Sequence, residues 1–450
     1  MASDTSNARI RPGRLDRAEI DRNFGDIHPP LARPEALIEA ERCYFCFDAP
    51  CTTACPTGID IPAFIRKIAS DNVRGSARTI LSENIMGGMC ARVCPTEVLC
   101  EEACVRNLHE DKPVEIGLLQ RYATDPVFER GEELFTRAAP TGRTVAVVGG
   151  GPAGLACAHR LAMLGHDVVI MSRDDKLGGL NEYGIAAYKT VDDFAQREVE
   201  WILSIGGIEV RTGAVLGRDF SLADLLEQYD AVFIGIGLPG VNDLGIDGED
   251  LAGVENAIDY IAELRQAGDK SALPVGERVV VIGGGMTAID IAVQSKKLGA
   301  GEVTIVYRRG PEQMGASAEE QEFAQTSGVT IRHWAQPARL EGSDAVERIV
   351  FERTTVRKDG RLAATGETFA LDADVVFKAI GQKLDGQAAE TALAGLDIAN
   401  GKLVVDESRA TSVPGVWAGG DCVADGDDLT VTAVQHGKVA AISIDRALRS

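Results

Sequence analysis

What this 450-residue sequence lacks narrows its reading before any motif is considered. No run of about 18 apolar residues occurs, so no stretch could cross a bilayer as a helix. The chain begins MASDTSNARI without an apolar signal segment, and a cytoplasmic location is expected. Basic residues are in deficit: 46 Lys and Arg stand against 68 Asp and Glu, a formal net charge of -22. Such a balance repels nucleic-acid phosphates and anionic membrane surfaces, and it suits a soluble protein. No short-period repeat or low-complexity tract interrupts the chain, and 45% hydrophobic content can fill the cores of two or three domains.

What is present is concentrated. Of the ten cysteines, eight fall between Cys43 and Cys104. The first group, Cys43, Cys46, Cys51 and Cys55 followed by Pro56, is similar to the bacterial ferredoxin run, whose fourth cysteine ligates a different cluster from the first three. The second group, Cys90, Cys94, Cys100 and Cys104, supplies the ligands that the first lacks. Eight thiolates match two 4Fe-4S clusters in number, although number alone does not assign them. Two zinc sites are the alternative, because Cys-x2-Cys pairs also hold zinc. A disulfide scaffold suits a short secreted chain and not one of this length.

Residues 1–130 are cysteine-rich, with short helical patterns such as Ile61–Ile65 and few β-branched runs, and predict a helical domain. A linker is expected near residues 131–143. From Thr144 onward apolar strands alternate with helical patterns and glycine turns, the pattern of parallel-sheet α/β architecture. Two nucleotide-binding turns stand out. In the first, the strand 144–148 runs into Gly149, Gly150, Gly151, Pro152, Ala153 and Gly154 and then a helix. Its glycines permit a tight turn, close approach of backbone to pyrophosphate, and close helix packing, with the helix N-terminus facing the phosphate charge. In the second, the strand 278–282 runs into Gly283, Gly284, Gly285, Met286, Thr287 and Ala288, with alanine in the last small position. The strand after it ends at Tyr307, Arg308 and Arg309, where an NAD-binding site usually carries an acid; arginine suits the 2′-phosphate of NADP, and an exposed surface pair is the bland alternative. The strand after the first turn ends at Ser172, where an acid would hold the FAD ribose; Asp174 and Asp175 are the candidate substitutes. Gly178, Gly179 and Leu180 follow as a loop able to approach a flavin.

Near the end, residues 416–421 form a strand running into Gly419, Gly420 and Asp421, followed by a helix beginning after Thr430. This order is similar to flavoproteins with two dinucleotide-binding domains, in which the acid holds the ribityl chain and a helix N-terminus stabilises reduced flavin. The strand near 374–377 with Ala379–Gln382, and Ile234–Gly237, are the expected crossings between the domains. The FAD-binding domain is thus expected over 140–248 and 382–450, with the NAD(P)-binding domain inserted at 249–381. Cys157 and Cys422 read as packing residues, and no Cys-x2-Cys occurs in this half to form a thioredoxin-reductase-like dithiol.

Across essentially its whole length the sequence resembles the small subunit of glutamate synthase and, more closely, the electron-input part of dihydropyrimidine dehydrogenase, which bacteria make as a separate subunit. The residues that carry the resemblance are the two cysteine groups, Gly149–Gly154, Gly283–Ala288, Gly419–Asp421 and residues 116–122. The resemblance implies that Cys43, Cys46, Cys51 and Cys104 hold one cluster and that Cys55, Cys94, Cys100 and Gln120 hold the other, leaving Cys90 over. Glutamine at position 120 favours the pyrimidine family, since the glutamate-synthase relatives carry glutamate there.

Electron counting gives the expected chemistry. A nicotinamide yields two electrons as a hydride, clusters take one at a time, and flavin does both. The pyrimidine-reducing half needs an FMN-binding barrel with further clusters, which this chain has no room for, so a partner subunit is implied. The reductase half of a glutamate synthase, or of a nicotinamide:ferredoxin transhydrogenase-like complex, is the alternative enzyme. A zinc-stabilised redox-sensing module is the non-enzymatic one.

Overall fold

A computed structural model describes residues 9–384 and 392–449. The chain divides into two compact units, one comprising His28–Glu182, Asp192–Gly240 and Lys383–Ser450, the other Met1–Ile27, Tyr183–Val191 and Val241–Gln382. Among the described residues no helix is long and apolar enough to cross a membrane.

The first unit opens with short helices. Ile61–Ala69 starts where the Asp60 carboxylate accepts the Ala63 N–H at 3.0 Å, carries Pro62 in its first turn, and buries Ile61, Phe64, Ile65 and Ile68 at helical spacing. Ile80, Leu119 and Ala123 from the helices Val73–Glu83 and Ile116–Arg130 complete that core, with Cys43, Cys51, Cys55, Cys100 and Cys104 against it. The last of these helices ends at Gly131, whose φ of 60° is the left-handed C-terminal geometry that glycine supplies. Residues 132–143 contain no helix or strand.

A five-stranded sheet follows, in the order Val416–Ala418, Ala231–Ile234, Thr144–Val148, Asp167–Met171, Ile208–Arg211, with every neighbour parallel. Parallel sheets are covered on both faces, and the central strand accordingly buries Val145, Ala146 and Val147 completely. The second unit repeats the plan. Its parallel sheet runs Val254–Asn256, Val375–Ala379, Arg278–Gly283, Glu302–Val306, Thr330–Arg332, and an antiparallel three-stranded sheet of Ala335–Glu341, Arg348–Val356 and Leu362–Asp372 is added to it. In both sheets the strand that feeds a glycine turn lies between its successor and a late crossover strand. The architecture is therefore a helical cysteine-bearing domain followed by two Rossmann-like domains, the second inserted in the first.

Residues 9–27 depart from the expected grouping with the cysteines. Ile20 and Phe24 join the core of the unit that holds the second glycine turn, beside Leu264 and Leu298. Arg11 and Val275 exchange backbone hydrogen bonds of 3.3 and 3.2 Å, and the Asn23 amide donates to the Lys297 carbonyl at 3.0 Å. The apolar face of the helix Arg17–Asn23 decides where this segment is buried, not its closeness in sequence to Cys43.

Candidate functional site

At the first turn the backbone requires glycine. Gly149 has φ 108°, and a Cβ there would stand 2.2 Å from the Gly235 carbonyl oxygen of the crossing strand. A Cβ on Gly154 would stand 2.0 Å from the Gly149 carbonyl oxygen, so this glycine lets the helix Pro152–Met163 close on the strand. Gly151 differs, because the nearest atom to its Cβ position is the Cα of Gly179 at 3.8 Å. No protein packing demands glycine there, and the open space over it is what close approach of a pyrophosphate requires. The loop at Gly178 closes on the turn, its N–H donating to the Gly150 carbonyl at 2.7 Å. Ser172 is buried beside it: a Cβ on Gly150 would lie 3.0 Å from the Ser172 Oγ and 2.4 Å from Leu177. Asp174 pairs with Arg173 at 3.1 Å, and Leu180 is 37% exposed.

Asp421 reaches the same turn by way of Gly420, whose Cβ position lies 3.1 Å from Ala153. The Gly420 N–H donates to His436 Nδ1 at 3.2 Å, and burial keeps the His436 imidazole neutral by lowering its pKa to about 4. Burial, reinforced by Asp428, raises the Asp421 carboxyl to about 6. The terminal helix Thr430–Arg449 crosses the first helix closely, since a Cβ on Gly437 would stand 2.1 Å from the Ala153 carbonyl oxygen. That helix begins at Thr430 itself, and the Thr430 hydroxyl donates to the Asn181 side-chain oxygen at 2.7 Å. Cys157 and Cys422 are fully buried, with the Cys422 thiol pushed up to about 12 by burial. Both behave as packing residues.

The second turn has the same construction within its own unit. Gly283 has φ 146°, and its Cβ would meet the Ala379 carbonyl oxygen at 2.1 Å; nothing lies within 4 Å of the Cβ position of Gly285. Met286 and Thr287 open the helix Met286–Lys297, and Ala288 is fully buried, as close helix packing needs. The loop after the second strand again closes on the turn, here through the Ala316 N–H donating to the Gly284 carbonyl at 3.0 Å. The Tyr307 ring fills the space where a Gly284 side chain would stand, 2.5 Å from its Cβ position. Arg308 and Arg309 follow it, both exposed, and among the described residues neither guanidinium is in an ion pair.

The cysteines form two neighbouring sets. Cys43, Cys46, Cys51 and Cys104 line one cavity, walled by Ile61, Ile65, Val114 and Ile116. Burial first, then Cys43, Cys104 and Cys46, push the Cys51 thiol up to about 11; Cys43 is raised likewise by burial and by Cys46 and Cys104. The Phe45 N–H donates to Cys43 Sγ at 3.4 Å from a left-handed residue, φ 53°, an arrangement of the kind found around cluster sulfurs. In the second set the Cys94 thiol is raised by its hydrogen bond with Cys90, by burial, and by Cys90, Cys100 and Cys55. Cys100 is raised by burial, then by Glu101, Cys55 and Cys51. Thiols that resist ionisation because they are buried together fit a site where bound iron supplies the positive charge. Among the described residues no three His, Cys, Asp or Glu side chains are gathered closely enough to hold a single metal ion. The thiolates around a four-iron cube stand further apart than those around one ion. Gln120 is buried in the helix Ile116–Arg130, its Nε2 donating to the Gly87 carbonyl at 2.7 Å.

A model of the pyridine nucleotide-disulphide oxidoreductases matches residues 143–437. The chain belongs to that family. A second model, dihydropyrimidine dehydrogenase domain II, 4Fe-4S cluster, matches residues 20–132 of this family member. Over 94% of the chain and 97% of the relative, it is 34% identical to the NAD-dependent dihydropyrimidine dehydrogenase subunit PreT homolog of Salmonella typhi. Over 94% and 93%, it is 35% identical to the glutamate synthase [NADPH] small chain of Escherichia coli (strain K12). Mycobacterium tuberculosis FprA in complex with NADPH shares the fold, with a TM-score of 0.57 at 22% identity over 68% of this chain and 85% of FprA. As the sequence predicts, the protein is an NAD(P)-dependent flavin and iron-sulfur oxidoreductase that carries out electron transfer, with FAD, 4Fe-4S and NAD(P) as its cofactors.

Sequence reading missed the loop ending at Ala316, the acceptor His436, and the buried pair Asn181 and Glu198. A signal existed for the first: Gly315 and Ala316 echo Gly178 and Gly179, small residues placed after the second strand of each half.

Proposed function

We propose that the chain is the electron-input subunit of a two-part dihydropyrimidine dehydrogenase. Gly283–Ala288 would hold NAD(P)H, and Gly149–Gly154, Ser172, the Gly179–Leu180 loop and Gly420–Asp421 would hold FAD, with two 4Fe-4S clusters as the outlet through which electrons would leave singly. Their destination is an FMN- and iron-sulfur-binding partner that reduces uracil or thymine to the 5,6-dihydro form. FAD supplies the exchange between a hydride and single electrons. The chain's own residues do the holding: open glycines admit pyrophosphate, helix N-termini offset its charge, and the closing loops fix the turns. No side-chain acid or base is needed for hydride transfer, which depends on placement of the reacting atoms.

Cys43, Cys46, Cys51 and Cys104 hold one cluster; Cys55, Cys94, Cys100 and Gln120 hold the other. The observation that carries the pyrimidine reading is Gln120. Its amide nitrogen is committed to the Gly87 carbonyl, which leaves the side-chain oxygen as its ligating atom. A glutamate at this position could not donate that bond. Cys94→Ser is expected to remove about half the iron and Cys90→Ser none, measured on anaerobically purified protein. The reduced protein is then mixed with each candidate partner while uracil loss and glutamate formation are followed; glutamate formation alone would assign the chain to a glutamate synthase. That second reading is supported by the 35% identity to the glutamate synthase small chain, against 34% to the PreT homolog.

A further inference from the structure

Resting on the cofactor positions just proposed, we propose that the buried turn at Met86–Met89 is the bridge between the flavin site and the Gln120-ligated cluster, with Asn181 and Met86 as its positioning residues. The contacts are continuous and lie within one unit. Asn181 follows the Gly178–Gly179–Leu180 loop, is fully buried, and accepts from Thr430 at the start of the terminal helix. Its Nδ2 donates to Met86 Sδ at 3.9 Å. Met86, also fully buried, leads directly into Gly87, whose carbonyl accepts from Gln120 Nε2 at 2.7 Å. From a residue beside the flavin-approaching loop to a cluster ligand, the route is side chain to sulfur, covalent backbone, and one hydrogen bond.

The turn is also fixed from its flanks. The Asn84 side chain accepts the Met86 N–H at 3.1 Å, and Glu198 Oε1 accepts the N–H groups of Gly88 and Met89 at 2.9 and 3.0 Å. Gly88 admits no side chain, since a Cβ there would stand 2.5 Å from both Phe128 and Phe194. Glu198 and Asn84 are fully buried, and Glu198 also interacts with the buried charge of Arg92. Among the described residues Glu198 Oε2 and Asn84 Nδ2 have no hydrogen-bond partner, and a partly satisfied buried network costs stability. Here it sets the distance and the bonded path from flavin to cluster. The overall step balances as NAD(P)H plus two oxidised clusters giving NAD(P)+, one proton and two reduced clusters.

The test is stopped-flow reduction of the holoprotein by NADPH, reading flavin bleaching and cluster bleaching separately, with electron paramagnetic resonance of the reduced clusters. Met86→Leu and Asn181→Leu keep the number of side-chain heavy atoms and remove the sulfur contact, Asn181→Leu removing the acceptor of Thr430 as well; Gln120→Glu keeps an oxygen ligand and removes the donor to Gly87. Met86→Leu and Asn181→Leu are each expected to leave flavin reduction within about twofold of the parent and to slow cluster reduction about tenfold, while Gln120→Glu is expected to alter the resonance of one cluster. Direct reduction by dithionite shows that the clusters are in place. Wild-type cluster rates in the two leucine variants, or equal slowing of both steps in them, would overturn the bridge and leave the proposed function standing. A parent protein lacking FAD or iron would overturn both.

Discussion

At the end of the second strand of one nucleotide-binding half stands Ser172, buried and uncharged; at the same place in the other stand Arg308 and Arg309, exposed and without ion pairs among the described residues. The turns that precede them are close copies. Each first glycine is pinned against a carbonyl of the crossover strand, each third glycine faces open space, and each middle glycine's carbonyl accepts an N–H from the loop after the second strand. On the function proposed above, the shared part would hold pyrophosphate, a group common to both cofactors. The parts that differ would lie at the adenosine ribose, where NADP alone carries a 2′-phosphate, and only one half adds an acid, Asp421.

The strongest test of the shared part is valine at the third glycines. Because neither Gly151 nor Gly285 has a protein atom within 3.7 Å of its Cβ position, the variants should fold. Gly151→Val is expected to abolish FAD retention. Gly285→Val is expected to keep full flavin absorbance and to lose about a hundredfold or more in kcat/KM for the nicotinamide, since bulk there meets the pyrophosphate. If both variants lost flavin equally, the division of labour between the turns would fail.

Asp421 sharpens the contrast through pH. Its carboxyl is raised from 3.8 to about 6 by burial and by Asp428, opposed by Lys402. A raised carboxyl favours the folded apoprotein when protonated, so this contribution is present below about 4 and is lost as pH rises through about 6. Accepting the ribityl hydroxyls calls for the ionised form, so FAD affinity should move the opposite way and weaken as pH falls below about 6. Titrating apoprotein with FAD at several pH values, about a tenfold loss between pH 7 and pH 5 is expected in the parent and a flat profile in Asp421→Asn. A pH-dependent Asp421→Asn would assign the titration to another group.

The arginines come next in size. If they face the 2′-phosphate, Arg308→Ala with Arg309→Ala should raise KM for NADPH about tenfold while leaving NADH within about twofold. Equal effects on both nicotinamides would return the pair to the role of exposed surface charge.

Glycine spacing and strand patterning made the turns legible in the sequence, because each is a local requirement, such as a positive φ at Gly149 and Gly283. Cysteine spacing showed two groups of four thiols, while their sorting into two sets came from the family resemblance and not from spacing. Long-range placement was not legible. Nothing near Ile20 or Phe24 says that their apolar side chains complete a core with Leu264 and Leu298. Likewise Asn181 and Met86 are unremarkable in their own neighbourhoods, and become a contact only when the sheet brings residues 95 positions apart together. His436 reads as an ordinary helix residue until Gly420 turns its N–H toward the ring.

The smallest expected effect lies at Ser172. Its hydroxyl is buried next to the first turn, its backbone N–H is used by the Arg211 carbonyl at 2.9 Å, and its carbonyl accepts from Ala214 at 2.9 Å. The backbone of Ser172 is therefore held by these two bonds, and the hydroxyl is its remaining polar group for the ribose. A single neutral hydrogen bond contributes about 1 kcal/mol, so Ser172→Ala should weaken FAD binding by about fivefold, measured by equilibrium titration, with the thermal midpoint of the apoprotein little changed. Ser172→Asp offers the charged acceptor seen in the usual pattern, but it must fit beside Leu177 and Gly150. Tighter FAD binding in that variant would mean that the serine leaves room for a charge. Weaker binding would mean that the buried turn has been shaped around a neutral contact, and that the two halves of the molecule diverged in packing as well as in charge.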